Sequence, residues 1–197
     1  MDRDYLIIVS GLPRSGTSLL MQMLEAGGIP ILQDSVRLPD EHNPYGYFEY
    51  EPIKNLNIIR DISYLKKYKG YAVKIVSPLL IKMTISFPAR VIFLKRPLPE
   101  VILSQQKMIK EKKDKNFSLI NSSYLLRIFE KHTYQIMDSL FQNPHLKVLE
   151  IHFPEVFSNP KYIIDSINTF LDENLNTNNM YTVIKPELYH NKISGAT

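Results

Sequence analysis

The fold class of this chain is decided by the stretch YLIIVSGLPRSGTSLL, residues 5–20. Residues 5–9 form an apolar run typical of a buried β-strand, and the residues from Thr17 onward have the pattern of a helix. Gly11 and Gly16 bracket the turn between them and allow the backbone to approach a ligand closely. Such a turn points backbone N–H groups and the positive end of the helix dipole at one spot. The stretch therefore predicts an anion site at the start of the first helix.

Strand-like and helix-like runs alternate along the rest of the chain. The predicted strands are Tyr5–Val9, Tyr71–Val76, Arg90–Leu94 and Leu146–Ile151, and the predicted helices are Thr17–Ala26, Pro52–Lys66, Pro78–Ser86, Leu98–Lys113, Leu119–Phe141 and Pro160–Leu171. The strands are almost continuously apolar, as strands covered on both faces are. The alternation predicts an α/β fold: an open, mostly parallel sheet with helices on both faces, in which ligands bind beyond the carboxyl ends of the strands.

Length and composition restrict the class of protein. The chain has 197 residues, which favours one domain over residues 1–197. It has no cysteine, which excludes disulfide frameworks, thiol nucleophiles and Cys-ligated zinc. We expect no metal site, since no two histidines have metal-ligand spacing on a helix. The net charge is only +4, and the lysine-rich run 107–115 has no interleaved aromatic residue, so we expect no nucleic-acid partner.

The chain has no signal for membrane insertion or export. No apolar run reaches the roughly 18 residues that a membrane helix requires. Residues 1–4 carry two acidic side chains and lead into an apolar run too short for a signal peptide. We therefore expect no membrane partner and a cytoplasmic location.

The charge of the glycine-bracketed loop distinguishes it from a Walker A loop. Gly11 and Gly16 keep the G-x-x-x-x-G spacing, but Thr17 stands where the lysine is expected. Arg14 supplies the permanent charge instead, and Thr17 and Ser18 supply hydroxyls. Kinase or ATPase chemistry normally needs that lysine and a metal ion. A nucleotide or small-molecule kinase stays open as an alternative, as does an ordinary strand-to-helix turn with a serine cap.

With its charge at Arg14, the motif Pro13-Arg14-Ser15-Gly16-Thr17-Ser18 resembles the P-x-R-S-G-T-S/T element of the sulfotransferase family. Residues 91–104 resemble a second element of that family, a strand that ends in Arg96 with Ser104 eight residues later. Residues 43–49, NPYGYFE, and the stretch 148–171 are similar to further elements. The resemblance runs from about residue 5 to residue 172. It implies a P-loop NTPase-like, three-layer α/β/α fold.

The resemblance also implies an activity. Sulfotransferases move the sulfuryl group of PAPS (3′-phosphoadenylyl sulfate) to an acceptor hydroxyl or amine, so PAPS is the implied co-substrate and a small molecule or glycan the implied acceptor. The implied donor contacts are Pro13, Arg14, Ser15, Gly16, Thr17 and Ser18 for the 5′-phosphosulfate, and Arg96 and Ser104 for the 3′-phosphate. A catalytically inactive homologue that binds PAPS or a nucleotide is a further alternative.

Sulfuryl transfer needs a cation at the bridging oxygen of the donor. Arg14 and Lys74 are the candidates. Lys74 lies near the end of the predicted strand Tyr71–Val76 and so near the same edge of the sheet. A lysine on an edge strand, with no part in the chemistry, is the alternative interpretation.

The acceptor must also lose a proton to a base. Glu49 is the first candidate, because some branches of the family use glutamate; an acid at the start of a helix, just before Pro52, is the alternative. His42, beside Glu41, is the next candidate, since the unperturbed pKa of histidine is near neutrality. An exposed loop histidine is the alternative interpretation of His42.

Overall fold

The computed structural model describes residues 3–34, 46–54, 60–111, 122–172 and 174–189. Within these ranges the chain forms a sheet of five parallel strands in the order β2-β3-β1-β4-β5. The strands are β1 (Leu6–Gly11), β2 (Ile31–Leu32), β3 (Ala72–Lys74), β4 (Ala89–Lys95) and β5 (Leu146–His152). The predicted open parallel sheet is confirmed.

Helices cover both faces of this sheet, which confirms the three-layer α/β/α architecture. They are α1 (Thr17–Ala26), α2 (Ser77–Leu80), α3 (Leu98–Glu111), α4 (Ser122–Gln142), α5 (Glu155–Ser158), α6 (Pro160–Phe170) and α7 (Thr177–Thr182). Successive residues of β1 point to opposite faces. Ile7 and Val9 belong to the core with α1, α6 and α7, whereas Leu6 and Ile8 belong to the core with α4. Among the described helices, none has both the length and the apolar character needed to cross a bilayer.

The register of the central strands places their carboxyl ends side by side. Val9 of β1 lies opposite Lys74 of β3, and Gly11 lies opposite Leu94 of β4. The turn after β1, the end of β3 and the turn after β4 therefore meet at one edge. Because β3 lies between β2 and β1, the interpretation of Lys74 as an edge-strand lysine is wrong.

Two predicted helices differ from the structure. The predicted helix Pro52–Lys66 is replaced in its described parts by two 3-10 turns, Glu51–Ile53 and Ser63–Tyr68. The Asp61 carboxylate accepts the N–H of Ser63 at 2.8 Å, a local bond that competes with helix formation. The predicted helix Pro78–Ser86 shortens to α2, because the N–H of Thr84 donates to the carbonyl of Arg60 at 2.8 Å and draws the chain away from the helix.

Two other features have no clear signal in the sequence. Strand β2 has only two residues, too few for a periodic pattern. The segment after residue 174 folds back onto the domain, where α7 buries Met180 completely against the end of α1. A 3-10 turn, Pro186–Leu188, then leads to Tyr189. This return brings the end of the described chain to the carboxyl edge of the sheet.

Candidate active site

The loop between β1 and α1, residues 12–16, is a candidate anion cradle, which we call the phosphate loop. The N–H of Ser15 donates to the carbonyl of Leu12 at 3.0 Å and closes the turn. Gly16 occupies the position before α1 in a left-handed conformation, φ +96°, and no side chain caps the helix there. The first N–H groups of a helix have no partner within it. The start of α1, where Thr17 is buried and Ser18 half-buried, therefore has N–H groups and hydroxyls that could bind an anion.

Both glycines of the loop are required by close contacts. A Cβ atom at Gly11 would lie 2.5 Å from Ser15 Oγ and 2.6 Å from the carbonyl oxygen of Leu94. A Cβ atom at Gly16 would lie 2.1 Å from the ring of Phe153. The loop is therefore pressed against the ends of β4 and β5, and any larger residue at these positions would displace it.

Helix α3 binds the loop from the β4 side. Arg14 Nε donates to Ser104 Oγ at 3.0 Å, which brings together two residues that the sequence analysis placed on the donor. Gln105 Nε2 donates to the carbonyl oxygen of Pro13 at 3.0 Å. These two contacts fix the middle of the loop relative to one face of α3.

Arg96 is buried and contacts the backbone of the loop. Its side chain is 6 % exposed, and its Nε donates to Glu100 at 2.9 Å. Its Nη1 donates to the carbonyl oxygen of Arg14 at 3.1 Å. The guanidinium carbon lies 4.9 Å from the ring centroid of Phe153 and 5.4 Å from that of Tyr189, within cation–π range. Arg96 thus links the phosphate loop, α3 and the returning end of the chain.

Glu100 and Tyr189 complete this cluster, and neither residue was predicted from the sequence. The Tyr189 hydroxyl donates to Glu100 Oε1 at 3.2 Å. Burial, followed by the charge of Glu100, raises the pKa of Tyr189 to about 12. The spacing of Arg96 and Glu100, four residues apart at the start of a predicted helix, is a signal that could have identified the pair. Tyr189 carried no such signal, because its position depends on the fold of the preceding segment.

Lys74 approaches the cradle from the opposite side, at the end of β3. Its side chain is buried, and its Nζ lies 3.4 Å from Ser18 Oγ in the first turn of α1. The same ammonium donates to the carbonyl of Tyr47 and lies 5.9 Å from the centroid of the Tyr47 ring. A buried lysine and Arg14 therefore lie on two sides of the start of α1.

Of the two candidate bases, Glu49 lies within the described residues and His42 does not. Glu49 follows the buried residues Tyr47 and Phe48, and its carboxylate pairs with Lys54 Nζ at 2.7 Å. Its carbonyl accepts the N–H of Asp34 at 2.9 Å, which ties this segment to the end of β2. His42 and the adjacent Glu41 lie outside the described residues. Across the described part of the chain, no three His, Asp or Glu side chains are grouped to hold a metal ion.

Solved structures similar to this chain include several sulfotransferases. No protein-family profile and no curated protein matches the sequence. The solved structure of sulfotransferase STF9 from Mycobacterium avium matches with a TM-score of 0.56 at 14% identity, covering 92% of this chain and 68% of that one. The sulfotransferase domain from the curacin biosynthetic pathway matches with a TM-score of 0.50 at 14% identity, covering 98% and 79%.

Mouse sulfotransferase SULT7A1, complexed with PAP, has 16% identity and a TM-score of 0.49. The match covers 92% of this chain and 63% of the mouse protein, so the chain spans less than two thirds of that protein's length. The fold implied by the sequence motifs is confirmed: the chain has a sulfotransferase-like α/β/α fold.

Proposed function

We propose that this chain is a sulfotransferase that moves the sulfuryl group of PAPS to a hydroxyl or amine of an acceptor. The observation that carries the proposal is the position of Lys74, whose Nζ lies 3.4 Å from Ser18 Oγ at the start of α1. A Walker A loop would supply this charge from position 17, where the chain has threonine. Here a neighbouring strand supplies it, beside a loop that carries its own arginine.

The residues of the loop suit a phosphosulfate. The N-terminal N–H groups of α1 and the hydroxyls of Thr17 and Ser18 offer donors to the oxygens of an anion. Arg14 adds a charge that cannot be titrated away near neutral pH. In our proposal Pro13, Ser15 and Gly16 shape the turn around the 5′-phosphosulfate.

The proposed donor site extends to Arg96 and Ser104, which would hold the 3′-phosphate. The contact of Ser104 with Arg14 supports this assignment, since it lies next to the cradle. Arg96 lies deeper and is already paired with Glu100. A 3′-phosphate would therefore have to compete with that carboxylate for the guanidinium.

Transfer requires one bond to form and one to break. The acceptor oxygen or nitrogen bonds to sulfur while the bond between sulfur and the bridging oxygen breaks, and PAP (adenosine 3′,5′-bisphosphate) leaves with the electron pair. Negative charge grows on that bridging oxygen, where Arg14 and Lys74 would stabilise it. The acceptor proton passes to a base, for which we propose Glu49 and, second, His42. Glu49 would first have to leave Lys54 or share its charge with it.

The remaining parts of the proposal follow from the same reaction. PAPS is the co-substrate, the acceptor is a small molecule or a glycan, and the transfer uses no metal. We place the protein in the cytoplasm as a single domain.

A thermal-shift panel tests the class of cofactor. PAP and PAPS should each stabilise the protein, by about 2.7 kcal/mol at a ligand concentration 100 times Kd. ATP with Mg²⁺ should give a smaller shift. Stabilisation by ATP–Mg²⁺ alone would overturn the proposal in favour of a kinase.

A transfer assay tests catalysis. With ³⁵S-labelled PAPS and a mixture of phenols, sterols, sugars and amines, Arg14→Ala should slow transfer by about 100-fold or more, and Arg14→Lys should retain part of the rate. Glu49→Gln should lower kcat. PAP binding without transfer to any acceptor, and without an effect of Glu49→Gln on background hydrolysis, would identify a catalytically inactive homologue instead.

A further inference from the structure

A cavity of about 420 Å³ lies on the α4 face of the sheet, beneath the phosphate loop. Its apolar wall is formed by residues of the loop, β4, α3 and α4: Leu12, Phe93, Leu98, Val101 and Met137. The exposed residues Glu130 and Tyr134 also line it, so the cavity opens to solvent. A volume of 420 Å³ lies within the range of small-molecule sites, roughly 300 to 1,000 Å³.

Two hydroxyl-bearing residues on this wall lack partners. Ser15 is 1% exposed, and its Oγ makes no hydrogen bond with any described residue. Thr133 Oγ1 is buried and likewise has no partner among the described residues. Both residues line the cavity. Buried polar groups are nearly always paired, and one that is not requires an explanation, such as a ligand that the site is built to bind.

Three charged residues line the cavity: the cations Lys95 and Arg96 are each paired with a carboxylate, and Glu130 is an exposed carboxylate at its rim. Arg96 pairs with Glu100 at 2.9 Å, and Lys95 pairs with Glu150 at 2.7 Å. The polar atoms that lack partners, on Ser15 and Thr133, are neutral hydroxyls, which can donate and accept at once. This chemistry suits a neutral hydroxyl or carbonyl on a ligand and disfavours a carboxylate, whose burial without a cation is costly.

The cavity borders the proposed donor site, with which it shares Ser15 and Arg96, and lies on the opposite face of the sheet from the α1 side that Lys74 contacts. Phe93 and Met137 belong to the core on the α4 face. Lys74 instead contacts Ser18 of α1, and α1 packs on the other face of the sheet. The phosphate loop lies between the two regions, and Leu12 and Ser15 are on its cavity side.

We propose that this cavity is a second ligand site, which binds an uncharged, mostly apolar small molecule through hydrogen bonds from one neutral polar group to Ser15 and Thr133. The site does not depend on sulfuryl transfer. It would exist equally in a kinase or in an inactive homologue.

Direct binding of three naphthyl probes tests the proposed second ligand site. Isothermal calorimetry and ligand-observed NMR would compare 2-naphthol, naphthalene and 2-naphthoate on the wild-type chain. 2-Naphthol should bind, naphthalene should bind about 10-fold more weakly for want of the hydrogen bond, and 2-naphthoate should show no binding. Failure of 2-naphthol to bind, or tighter binding of 2-naphthoate, would overturn the proposal.

Variants locate the probe. Thr133→Val keeps the shape of the side chain and removes one of the two hydroxyls, so it should reduce the preference for 2-naphthol over naphthalene. Thr133→Ser should retain the full preference. Leu98→Trp should fill the cavity and abolish binding of both probes, with circular dichroism as the check on folding.

Ser139→Ala, on an exposed position of α4, is the control. Unchanged binding in both Thr133→Val and folded Leu98→Trp would show that the probe lies elsewhere and overturn the proposal. PAP titration of the same variants tests the transfer site separately.

Discussion

Arg96 Nη1 donates to the carbonyl oxygen of Arg14 at 3.1 Å, so that one arginine holds the backbone of the other. Arg14 has φ +76°, a left-handed conformation that costs a non-glycine residue about 1–2 kcal/mol. Arg96 is itself held by Glu100, and its guanidinium lies within cation–π range of two rings, Phe153 and Tyr189, that contact each other edge to face. The conformation of the phosphate loop therefore depends on contacts from α3 and from the end of the described chain, as well as on its own sequence.

This relationship makes Arg96→Lys informative. Lysine keeps the charge but cannot span both Glu100 and the Arg14 carbonyl, because it lacks the planar fork of arginine. We expect the Kd of 5′-AMP to rise several-fold, since the loop loses its support, and the Kd of PAP to rise further through its 3′-phosphate. Calorimetric titration measures both. An unchanged affinity for 5′-AMP would rule out support of the loop, and equal losses would rule out contact with the 3′-phosphate.

Removal of the Glu100 carboxylate from the buried Arg96–Glu100 pair should destabilise the fold. Arg96 and Glu100 are 6% and 2% exposed, and Glu100→Ala would leave a buried guanidinium without its counter-charge. We expect a loss of about 3–5 kcal/mol in the free energy of unfolding, measured by urea denaturation.

The exposed pair Lys161–Asp165 has the same four-residue spacing and serves as the control. Asp165→Ala should cost less than about 0.5 kcal/mol. Similar losses in the two variants would mean that burial does not govern the energetics of the Arg96–Glu100 pair.

Two glycines with almost the same φ angle allow the cost of backbone strain to be distinguished from the cost of steric overlap. Gly16 has φ +96° and Gly28 has φ +93°. A Cβ at Gly28 meets nothing within 4 Å, whereas one at Gly16 would overlap the ring of Phe153. Gly28→Ala should therefore cost about 1–2 kcal/mol from backbone strain alone. Gly16→Ala should cost about 1–3 kcal/mol more through overpacking, and should also weaken PAP binding. Equal melting temperatures for the two variants would argue against the contact with Phe153.

The charge of Lys74 should contribute to anion affinity. Lys74→Met keeps the length of the side chain and removes the ammonium beside Ser18. A hydrogen bond to a charged group is worth about 1.5–3 kcal/mol, so we expect PAP to bind about 10- to 100-fold more weakly. Lys82→Met, at an exposed position, should leave the affinity unchanged. If both variants bind PAP like the wild type, Lys74 has no part in the anion site.

Stability should fall in strongly alkaline solution. Burial raises the pKa of both Tyr5 and Tyr189 from 10.0 to about 12, with added effects of Asp172 and Glu100 respectively. A raised pKa means that the unfolded chain releases the proton first. The stabilisation is complete below pH 10 and is lost as the pH rises towards 12, with a slope of about 1.4 kcal/mol per pH unit for each tyrosine. Tyr189→Phe and Tyr5→Phe should each reduce that slope in urea denaturation from pH 9 to 11.5. A slope unaffected by either variant would assign the alkaline transition to other groups.

Local sequence determined the central elements of this protein. The apolar run 5–9 and the residues from Thr17 to Ala26 form the strand and the helix that their patterns predict, because burial and propensity agree there. The two glycines of the loop were also predictable, since their spacing reflects a backbone requirement that acts over a few residues. Roles of Arg14, Lys74, Glu49, His42, Arg96 and Ser104 in binding or catalysis stay predictions until they are measured.

Tertiary structure alone decided which distant residues meet. Ser104 contacts Arg14 across 90 positions, Arg96 contacts the same residue across 82, and Tyr189 reaches Glu100 across 89. Local propensity has no information at such separations, because these contacts depend on the strand order and on the path of the returning chain. The same cause explains why β3 is internal and why a cavity lies below the loop. The sequence determined the glycine-bracketed turn after β1, and packing against β4, α3 and the end of the described chain determined its surroundings.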